Sequence, residues 1–258
     1  MTRAPGHTRP VRPLVGQRRA RSRTLADVRT WRFIGYLAAA VVVVFLLGAL
    51  TVVAFTRTSH QSSTFAEPIT KIVVNSERGA VTIRNGPAGT VSVATEKRFV
   101  VTGPVVTEKV TNGTLTILSS CPMMAFISCS ANFTITAPPG TAVDGTVQRG
   151  LLSVIGITGT VYSNADSGSF DYSGTSPSVT AYTLNGDVAM TFTAPATYVH
   201  ARTETGVVTI TVPPGAYAIN ANSGAGSHEV IGLVSNPKSP RSIYASSGDG
   251  VAKVVAGG

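Results

Sequence analysis

The two cysteines are the residues of this 258-residue chain with the most specific chemistry, because Cys121 and Cys129 are the only thiols. A redox dithiol usually has C-x-x-C spacing, and a zinc site needs further ligands close by, so two thiols with seven residues between them fit neither. In an oxidising compartment a disulfide is the expected outcome. We therefore predict a Cys121–Cys129 bridge that staples a hairpin between strand-like runs at residues 114–118 and 132–137.

Histidine and carboxylate side chains form no recognisable catalytic or metal-binding set. His200 precedes Glu204 by four positions, and His228 is adjacent to Glu229. On a strand, residues four apart share a face but are roughly 13 Å apart, and adjacent residues point to opposite faces. We therefore predict surface positions for both histidines, and the sequence predicts no catalytic residue, metal ligand or cofactor-binding residue.

The hydroxyl and aromatic side chains indicate a binding surface rather than a catalytic site. Serine and threonine are abundant, but no Gly-x-Ser-x-Gly nucleophile elbow is present. Tyr182, Tyr198 and Tyr244 are candidates for a surface on which glycan rings stack. Phe170 and Tyr172 also qualify by type, but they stand at positions that a strand would turn inward, which favours a place in the core. The chain is thus predicted not to be an enzyme.

Arginine dominates residues 1–32, which contain nine arginines and a single acid, Asp27. The whole chain has a net charge of +9, so residues 33–258 are nearly neutral, with 12 basic and 11 acidic side chains. Clustered arginines also occur in nucleic-acid-binding arms, but membrane topology and attraction to anionic lipids explain them without that partner. We predict a basic, disordered cytoplasmic leader over residues 1–32 and no nucleic-acid partner.

Residues 33–55 are 23 consecutive residues without a charge. A helix of this length rises roughly 35 Å, enough to cross a hydrocarbon core of about 30 Å. The alternative is a cleaved signal peptide, whose apolar region usually spans about 7–15 residues before a small-residue cleavage site. Because arginine-rich flanks stay cytoplasmic, we predict a single-pass transmembrane helix that places residues 56–258 outside the plasma membrane.

The rest of the chain has the composition of strands and turns. Residues 56–67 are polar and are predicted to be a stalk, and residues 68–258 are rich in Thr, Val, Ser, Gly and Ala with frequent proline. Large apolar residues stand two and four positions after a series of glycines, as Val188 and Met190 do after Gly186. This alternation predicts strands with one buried face. The predicted structural turn glycines are Gly79, Gly113, Gly150, Gly168, Gly186, Gly206, Gly224 and Gly248.

The spacing of these glycines indicates how the strands are arranged. From position 150 to 206 they are separated by 18, 18 and 20 residues. Units this short cannot bury their apolar faces alone and must stack on one another. The predicted fold class is therefore all-β, with a single-stranded-repeat β-solenoid over residues 68–258. A β-sandwich is the alternative, since it also has many short strands separated by turns.

Two motifs resemble those of a known family. Ser/Asn/Thr-Gly turns before alternating apolar residues, and strands that end in Pro-Pro-Gly at 138–140 and 213–215, resemble the bacterial putative adhesin family. The resemblance covers roughly residues 69–255. It implies a right-handed β-solenoid displayed outside the membrane of the bacterial envelope, and it implies no functional residues. Related domains also occur in membrane proteins of envelope-stress systems, as assembly platforms.

Together these observations predict a membrane-anchored, extracytoplasmic, non-enzymatic adhesion, binding or scaffold domain at the cell envelope. Its expected partners are the membrane and a cell-wall polymer or envelope protein, without a small-molecule substrate or a cofactor. The alternative function is an accessory or sensor component of an envelope-stress pathway, in which the arginine leader contacts a cytoplasmic partner.

Overall fold

The computed structural model describes residues 34–46, 48, 56–122 and 128–257. Residues 34–46 form a helix with exposed side chains, and the chain divides into two compact units, Met1–Thr51 and Val52–Gly258. Within the described residues, no helix combines the length and the apolar character needed to cross a bilayer. The predicted leader, and positions 33, 47 and 49–55 of the predicted membrane helix, lie outside the described residues.

The second unit is all-β, as predicted, and its described part contains fifteen strands in one hydrogen-bonded sheet. The first eight are β1 (Arg57–Phe65), β2 (Lys71–Arg78), β3 (Val81–Asn85), β4 (Val91–Phe99), β5 (Val105–Thr111), β6 (Thr114–Ser120), β7 (Cys129–Ala137) and β8 (Ala142–Ile155). The others are β9 (Val161–Gly174), β10 (Ser178–Asn185), β11 (Val188–Phe192), β12 (Tyr198–Val212), β13 (Ala218–Ser223), β14 (Ser227–Ile231) and β15 (Ser242–Ala256).

The middle of the sheet is parallel. β8 pairs with β9, and β12 with β15, along most of their length. β10 and β11 together take the place of one long strand, because β10 lies between the first halves of β9 and β12 and β11 between their second halves. We call β8, β9, β10 with β11, β12 and β15 the parallel stack. Since these strands pair in register, residues at equivalent positions form columns across it.

Chain order and sheet order differ at the amino-terminal side of the parallel stack. β2 and β3 pair with the two halves of β8, and β6 and β7 pair with the other edges of β2 and β3. β5, β4 and β1 add antiparallel strands beyond them.

The segment predicted to be a stalk contains one of these strands, which corrects that prediction. β1 pairs with β4 along its whole length, from Arg57 beside Phe99 to Phe65 beside Val91. Its polar sequence does not indicate a strand, because backbone hydrogen bonds hold an edge strand in the sheet without burying alternate side chains.

Chain order and sheet order differ again at the carboxyl-terminal side. β15, the last strand of the chain, lies between β12 on one side and β13 and β14 on the other. β14 pairs with β15 and is exposed along its whole length. The strand that ends the chain is therefore interior to the sheet.

The apolar residues of the predicted template form the core, as expected from their alternation. All twelve at the second and fourth positions after the first six glycines are buried: Val81, Ile83, Leu115, Ile117, Leu152, Val154, Phe170, Tyr172, Val188, Met190, Val208 and Ile210. They belong to one continuous buried cluster that extends in the sheet from β4 to β15, while β14 stays exposed.

Glycines line one side of the parallel stack where neighbouring backbones approach closely. Gly186 has a φ of +151°, and a Cβ there would overlap the carbonyl oxygen of Gly168. Six further glycines continue this line of close contacts from strand to strand, and with Gly186 we call them the glycine column: Gly79, Gly150, Gly168, Gly206, Gly226 and Gly250.

Three of the predicted turn glycines lie outside the glycine column. Gly113 forms a two-residue hairpin turn between β5 and β6 with Asn112, and both residues have positive φ, as a type I′ turn requires. At the carboxyl-terminal side Gly226 and Gly250 hold the column positions, two residues after Gly224 and Gly248. Counted from Gly250, the core template continues with two buried apolar residues, Ala252 and Val254.

Hydroxyl groups three residues before these glycines tie the strands together. Thr183 Oγ1 donates to Gly168 O, Thr203 Oγ1 to Gly186 O, and Ser247 Oγ to Gly206 O, each at 2.9 Å. Ser223 Oγ makes the equivalent bond to Gly250 O, also at 2.9 Å. We call Thr183, Thr203, Ser223 and Ser247 the hydroxyl column. Its sequence signature is Ser/Thr-x-x-Gly.

The predicted disulfide between Cys121 and Cys129 is present. It closes the segment between β6 and β7, of which residues 123–127 lie outside the described residues. β6 pairs with β2, whereas β7 pairs with β3. The bridge therefore joins two strands that follow each other in the chain but have different partners in the sheet. The expected hairpin was wrong, because β6 and β7 pair with β2 and β3 instead of with each other.

Candidate functional site

Aromatic side chains gather on the outward face of the parallel stack. On β12, Val199 and Ala201 point into the core, so Tyr198 and His200 point outward. The register places His200 beside Tyr244 on β15. We call five outward residues of four strands the aromatic row: Tyr162 on β9, Tyr182 on β10, Tyr198 and His200 on β12, and Tyr244 on β15.

The rings of the aromatic row are in continuous contact. Ring centroids are 6.1 Å apart for Tyr162 and Tyr182, 5.1 Å for Tyr182 and His200, and 5.6 Å for His200 and Tyr244. Tyr198 lies 6.3 Å from His200 and 6.1 Å from Tyr244. The interplanar angles range from 49° to 84°, so each ring presents its face in a different direction. With strands about 4.8 Å apart, the row extends roughly 14 Å across the sheet.

His200 connects the tyrosine hydroxyls. Tyr182 Oη and Tyr198 Oη each lie 3.2 Å from His200 Nδ1. Nδ1 accepts a hydrogen bond from a hydroxyl when it carries no proton and donates one to a hydroxyl oxygen when it does, so the tautomer of the ring sets the direction of these bonds. Burial lowers the pKa of His200, and the charge of Arg202 lowers it further. Burial likewise raises the pKa of Tyr182, so both shifts favour neutral rings.

Three tyrosines of the row are substantially exposed. Tyr162, Tyr198 and Tyr244 are 42%, 38% and 41% exposed, and Tyr182 and His200 are half-buried. A contiguous group of exposed rings contributes little to the core and is typical of an interaction surface.

Polar side chains border the aromatic row in two shallow depressions. One has a volume of about 230 Å³ and includes Asn164 beside Tyr182. The other has a volume of about 200 Å³ and includes Asn220 and Asn222 beside Tyr244. Arg202 lines both depressions. The row is thus an apolar strip with amide and guanidinium groups within reach of a ligand lying on it.

Charged groups beside the row are paired with each other. Arg202 Nη2 lies 2.6 Å from Glu204 Oε1, and Lys71 Nζ lies 2.9 Å from Asp144 Oδ2. Asp144 stands beside Tyr162 in the register of β8 and β9. These pairs leave the surface around the rings close to neutral.

The His/acid neighbours of the sequence do not form sites. Glu204 pairs with Arg202, and Glu229 forms an ion pair with Lys253 at 3.7 Å, while His228 is exposed on β14. Among the described residues, no group of three His, Cys, Asp or Glu side chains is placed to hold a metal ion.

A larger depression, of about 360 Å³, lies on the antiparallel strands at the other end of the sheet. His60 and Gln61 on β1, Glu96 on β4, and Asn132 and Thr134 on β7 contribute to it. Its lining is polar and lacks the exposed tyrosines that distinguish the aromatic row.

Sequence reasoning found part of the aromatic row. Tyr182, Tyr198 and Tyr244 are brought together on the surface, and Phe170 and Tyr172 are buried as expected. Tyr162 and His200 were missed as members of this surface. Their signal is the distance to the glycine column, because the aligned residues Tyr162, Thr180, His200 and Tyr244 each stand six positions before a column glycine.

Comparisons with known proteins give similarity at the level of solved structures. No family model matches the chain, and no curated protein matches it. A "putative cell adhesion protein" from Clostridium sporogenes is 14% identical, with a TM-score of 0.43 over 78% of this chain and 100% of that one. A "putative adhesin" from Bacteroides fragilis is 13% identical, with a TM-score of 0.33 over 77% of this chain and 97% of that one. A "putative lipid binding protein" from Parabacteroides distasonis is 11% identical, with a TM-score of 0.25 over 78% of this chain and 97% of that one.

The first of these proteins is described as a cell adhesion protein and the second as an adhesin. Strand register and burial within this chain define its fold.

Proposed function

We propose that this chain is a non-enzymatic binding protein of the bacterial cell envelope. The observation that carries the proposal is the aromatic row, in which Tyr162, Tyr198 and Tyr244 expose about two-fifths of their surface. These rings lie on four hydrogen-bonded strands whose opposite face is core, so a ligand meets them in a fixed arrangement. A preorganised apolar strip with polar groups beside it is suited to binding.

In this proposal the sheet is a β-solenoid. The in-register parallel pairing of β8 with β9 and of β12 with β15 supports it, as does the single column of glycines along one side. A β-sandwich of two antiparallel sheets would not pair long successive strands in parallel.

The proposal places the sheet outside the plasma membrane, with residues 33–55 as a single-pass anchor and residues 1–32 in the cytoplasm. The Cys121–Cys129 disulfide supports an oxidising location, and the nine arginines before the apolar run support the orientation. The displayed domain is residues 68–258, to which β1 adds residues 57–65.

Orientation is tested by labelling intact cells that express the full chain. Val234 is 87% exposed, so Val234→Cys should react with a membrane-impermeant maleimide on intact cells. The control, Ser22→Cys in the leader, should react only after the membrane is permeabilised. Labelling of Ser22→Cys alone on intact cells would reverse the orientation and refute the proposed location.

Binding is tested with the detergent-solubilised full chain and isolated cell-wall and cell-surface fractions. We expect the wild-type chain to sediment with at least one fraction and the variant Tyr182→Ala/Tyr244→Ala to stay in solution. Tyr36→Ala, which removes a tyrosine of the proposed anchor outside the aromatic row, is the control and should sediment like the wild type. Equal sedimentation of the row variant would contradict the proposed site.

A further inference from the structure

We infer that the aromatic row is a binding site for an uncharged polysaccharide whose sugar rings pack on the tyrosine faces. The inference rests on the proposed binding function and names the class of ligand for the same surface. Three properties of the row support it: the exposed ring faces, the amide groups beside them and the balance of charge.

Tyrosine rings suit the apolar face of a sugar. The C–H groups on one face of a pyranose are slightly positive, and the face of an aromatic ring is negative, so the two attract in addition to burying apolar area. Tyr162, Tyr198 and Tyr244 each have an exposed surface available for this contact. Because the rings are tilted by 49° to 84°, they offer separate stacking positions to successive sugars of a twisted chain.

Amide groups beside the rings suit sugar hydroxyls. Asn164 lies next to Tyr182, and Asn220 and Asn222 lie next to Tyr244. An amide both donates and accepts hydrogen bonds, and so does each hydroxyl of a sugar. An entirely apolar partner would remove water from these amides without replacing its hydrogen bonds, which is unfavourable.

The charges favour a neutral ligand. Arg202 pairs with Glu204 and Lys71 with Asp144, so the cations nearest the row already have carboxylate partners. An anionic polymer would have to displace these carboxylates or lie against them. A neutral chain meets no such cost.

The length of the row favours a polymer over a single sugar. The row crosses four strands, roughly 14 Å, and its outermost residues are Tyr162 and Tyr244. One sugar ring would contact one tyrosine, whereas a chain laid across the strands contacts several at once. We therefore expect affinity to rise steeply from monosaccharide to oligosaccharide.

The test measures the dissociation constant of the full chain, solubilised in detergent and immobilised, by biolayer interferometry. Hydroxyethyl cellulose, galactomannan and dextran are the neutral probes, polygalacturonate is the anionic probe, and poly-L-proline represents an extended peptide. The variants are Tyr182→Ala, Tyr244→Ala and Tyr244→Phe, with Tyr36→Ala as the control outside the row. Near-ultraviolet circular dichroism verifies that each variant is folded.

We expect at least one neutral polysaccharide to bind, and each Tyr→Ala change in the row to raise its dissociation constant about tenfold or more. Tyr244→Phe retains the ring and should stay within about threefold of the wild type, because stacking needs the ring and not the hydroxyl. Tyr36→Ala should bind like the wild type.

Three results would overturn the inference: no binding of any neutral polysaccharide, unchanged binding by folded row variants, or tighter binding of polygalacturonate or poly-L-proline. Its failure is separable from failure of the proposed function. If cell-surface fractions still retain the chain through the row while the neutral polysaccharides do not bind, the binding function stands and the ligand class is wrong. If neither binds, both are wrong.

Discussion

The hydroxyl column and the aromatic row use the same three strands of the sheet for opposite purposes. On β10 their members are adjacent residues: Thr183 of the hydroxyl column faces inward, and Tyr182 of the aromatic row faces outward. Every hydroxyl of the inner column donates to a glycine carbonyl of a neighbouring strand. The outer hydroxyls of Tyr182 and Tyr198 instead meet at His200.

The hydroxyl column and the aromatic row have different roles. Inner side chains complete hydrogen bonds of buried backbone groups, which are expensive to leave unmade. Outer rings contact each other while keeping a large exposed surface, and so they add little to the core. Substitutions should therefore reduce stability on the inner side and ligand binding on the outer side.

The largest effect is expected from Gly186→Ala in the glycine column. A Cβ there overlaps the carbonyl oxygen of Gly168 at a φ of +151°, so the free energy of unfolding should fall by on the order of 3 kcal/mol or more. Urea titration followed by circular dichroism measures it. Gly89→Ala is the matched control, since Gly89 also has a positive φ, +82°, but open space around it, and should lose about 1 kcal/mol. Equal losses would mean that the close approach contributes nothing.

A smaller loss is expected from Thr203→Val in the hydroxyl column. Valine keeps the shape of the side chain but removes the 2.9 Å bond to Gly186 O, which should lower the free energy of unfolding by about 1 kcal/mol. Thr209→Val, on the same strand at a half-buried position, should change it by less than about 0.5 kcal/mol. If the two variants unfold at the same urea concentration, the hydroxyl column is not a stabilising feature.

Tyr162→Ala at the end of the aromatic row should have a still smaller effect on stability. Tyr162 contacts one ring of the row, Tyr182, and is 42% exposed, so its loss should lower the free energy of unfolding by about 0.5 kcal/mol. The same urea titration measures it. A loss as large as that of Gly186→Ala would place Tyr162 among the structural residues. The contrast between the hydroxyl column and the aromatic row would then be wrong.

The smallest effect concerns the protonation of His200. Its pKa is lowered first by burial and second by Arg202, so its imidazole should titrate below the ordinary 6.5 in an NMR experiment. Arg202→Gln should raise that pKa without restoring it fully, because burial remains.

A lowered pKa means that the unfolded chain binds a proton more readily than the folded chain. The contribution of His200 to stability is thus present above pH 6.5 and is lost as the pH falls through the lowered pKa. His200→Gln should remove this part of the pH dependence, and the difference between the stability curves of the wild type and the variant isolates it. A His200 pKa above 6.5 would contradict the partial burial of its imidazole.

Local patterns predicted much of the fold. The alternation after each glycine identified core residues such as Leu152 and Val154, because the two faces of a strand are distinguished by period alone. The last units were misaligned by two residues, since Ser-Gly-x-Gly contains two glycines. Gly226 and Gly250 are the ones whose Cβ would overlap the carbonyl oxygen of another column glycine, Gly250 and Gly206 respectively. Polar β1 was missed because its pairing with β4 leaves no pattern of buried side chains.

The candidate site could be predicted only in part from the sequence. Outward tyrosines are visible in the sequence, but which of them are neighbours depends on the register between strands. Counting back from the column glycines would have aligned Tyr162, His200 and Tyr244, whereas Tyr198 and Tyr182 join the row from other positions along their strands.

The all-β class, the buried face of most strands and the pairing of the two cysteines follow from the amino-acid sequence alone. Each depends on composition or on residues close together in the chain. The order of the strands in the sheet, in contrast, is known from the folded structure and not from the sequence. β15 enters between β12 and β13, and β2 and β3 enter between β8 and the later strands β6 and β7. Parallel strands pair through backbone groups that every residue carries, so the choice of partner is made by packing across the whole sheet and leaves no local signature.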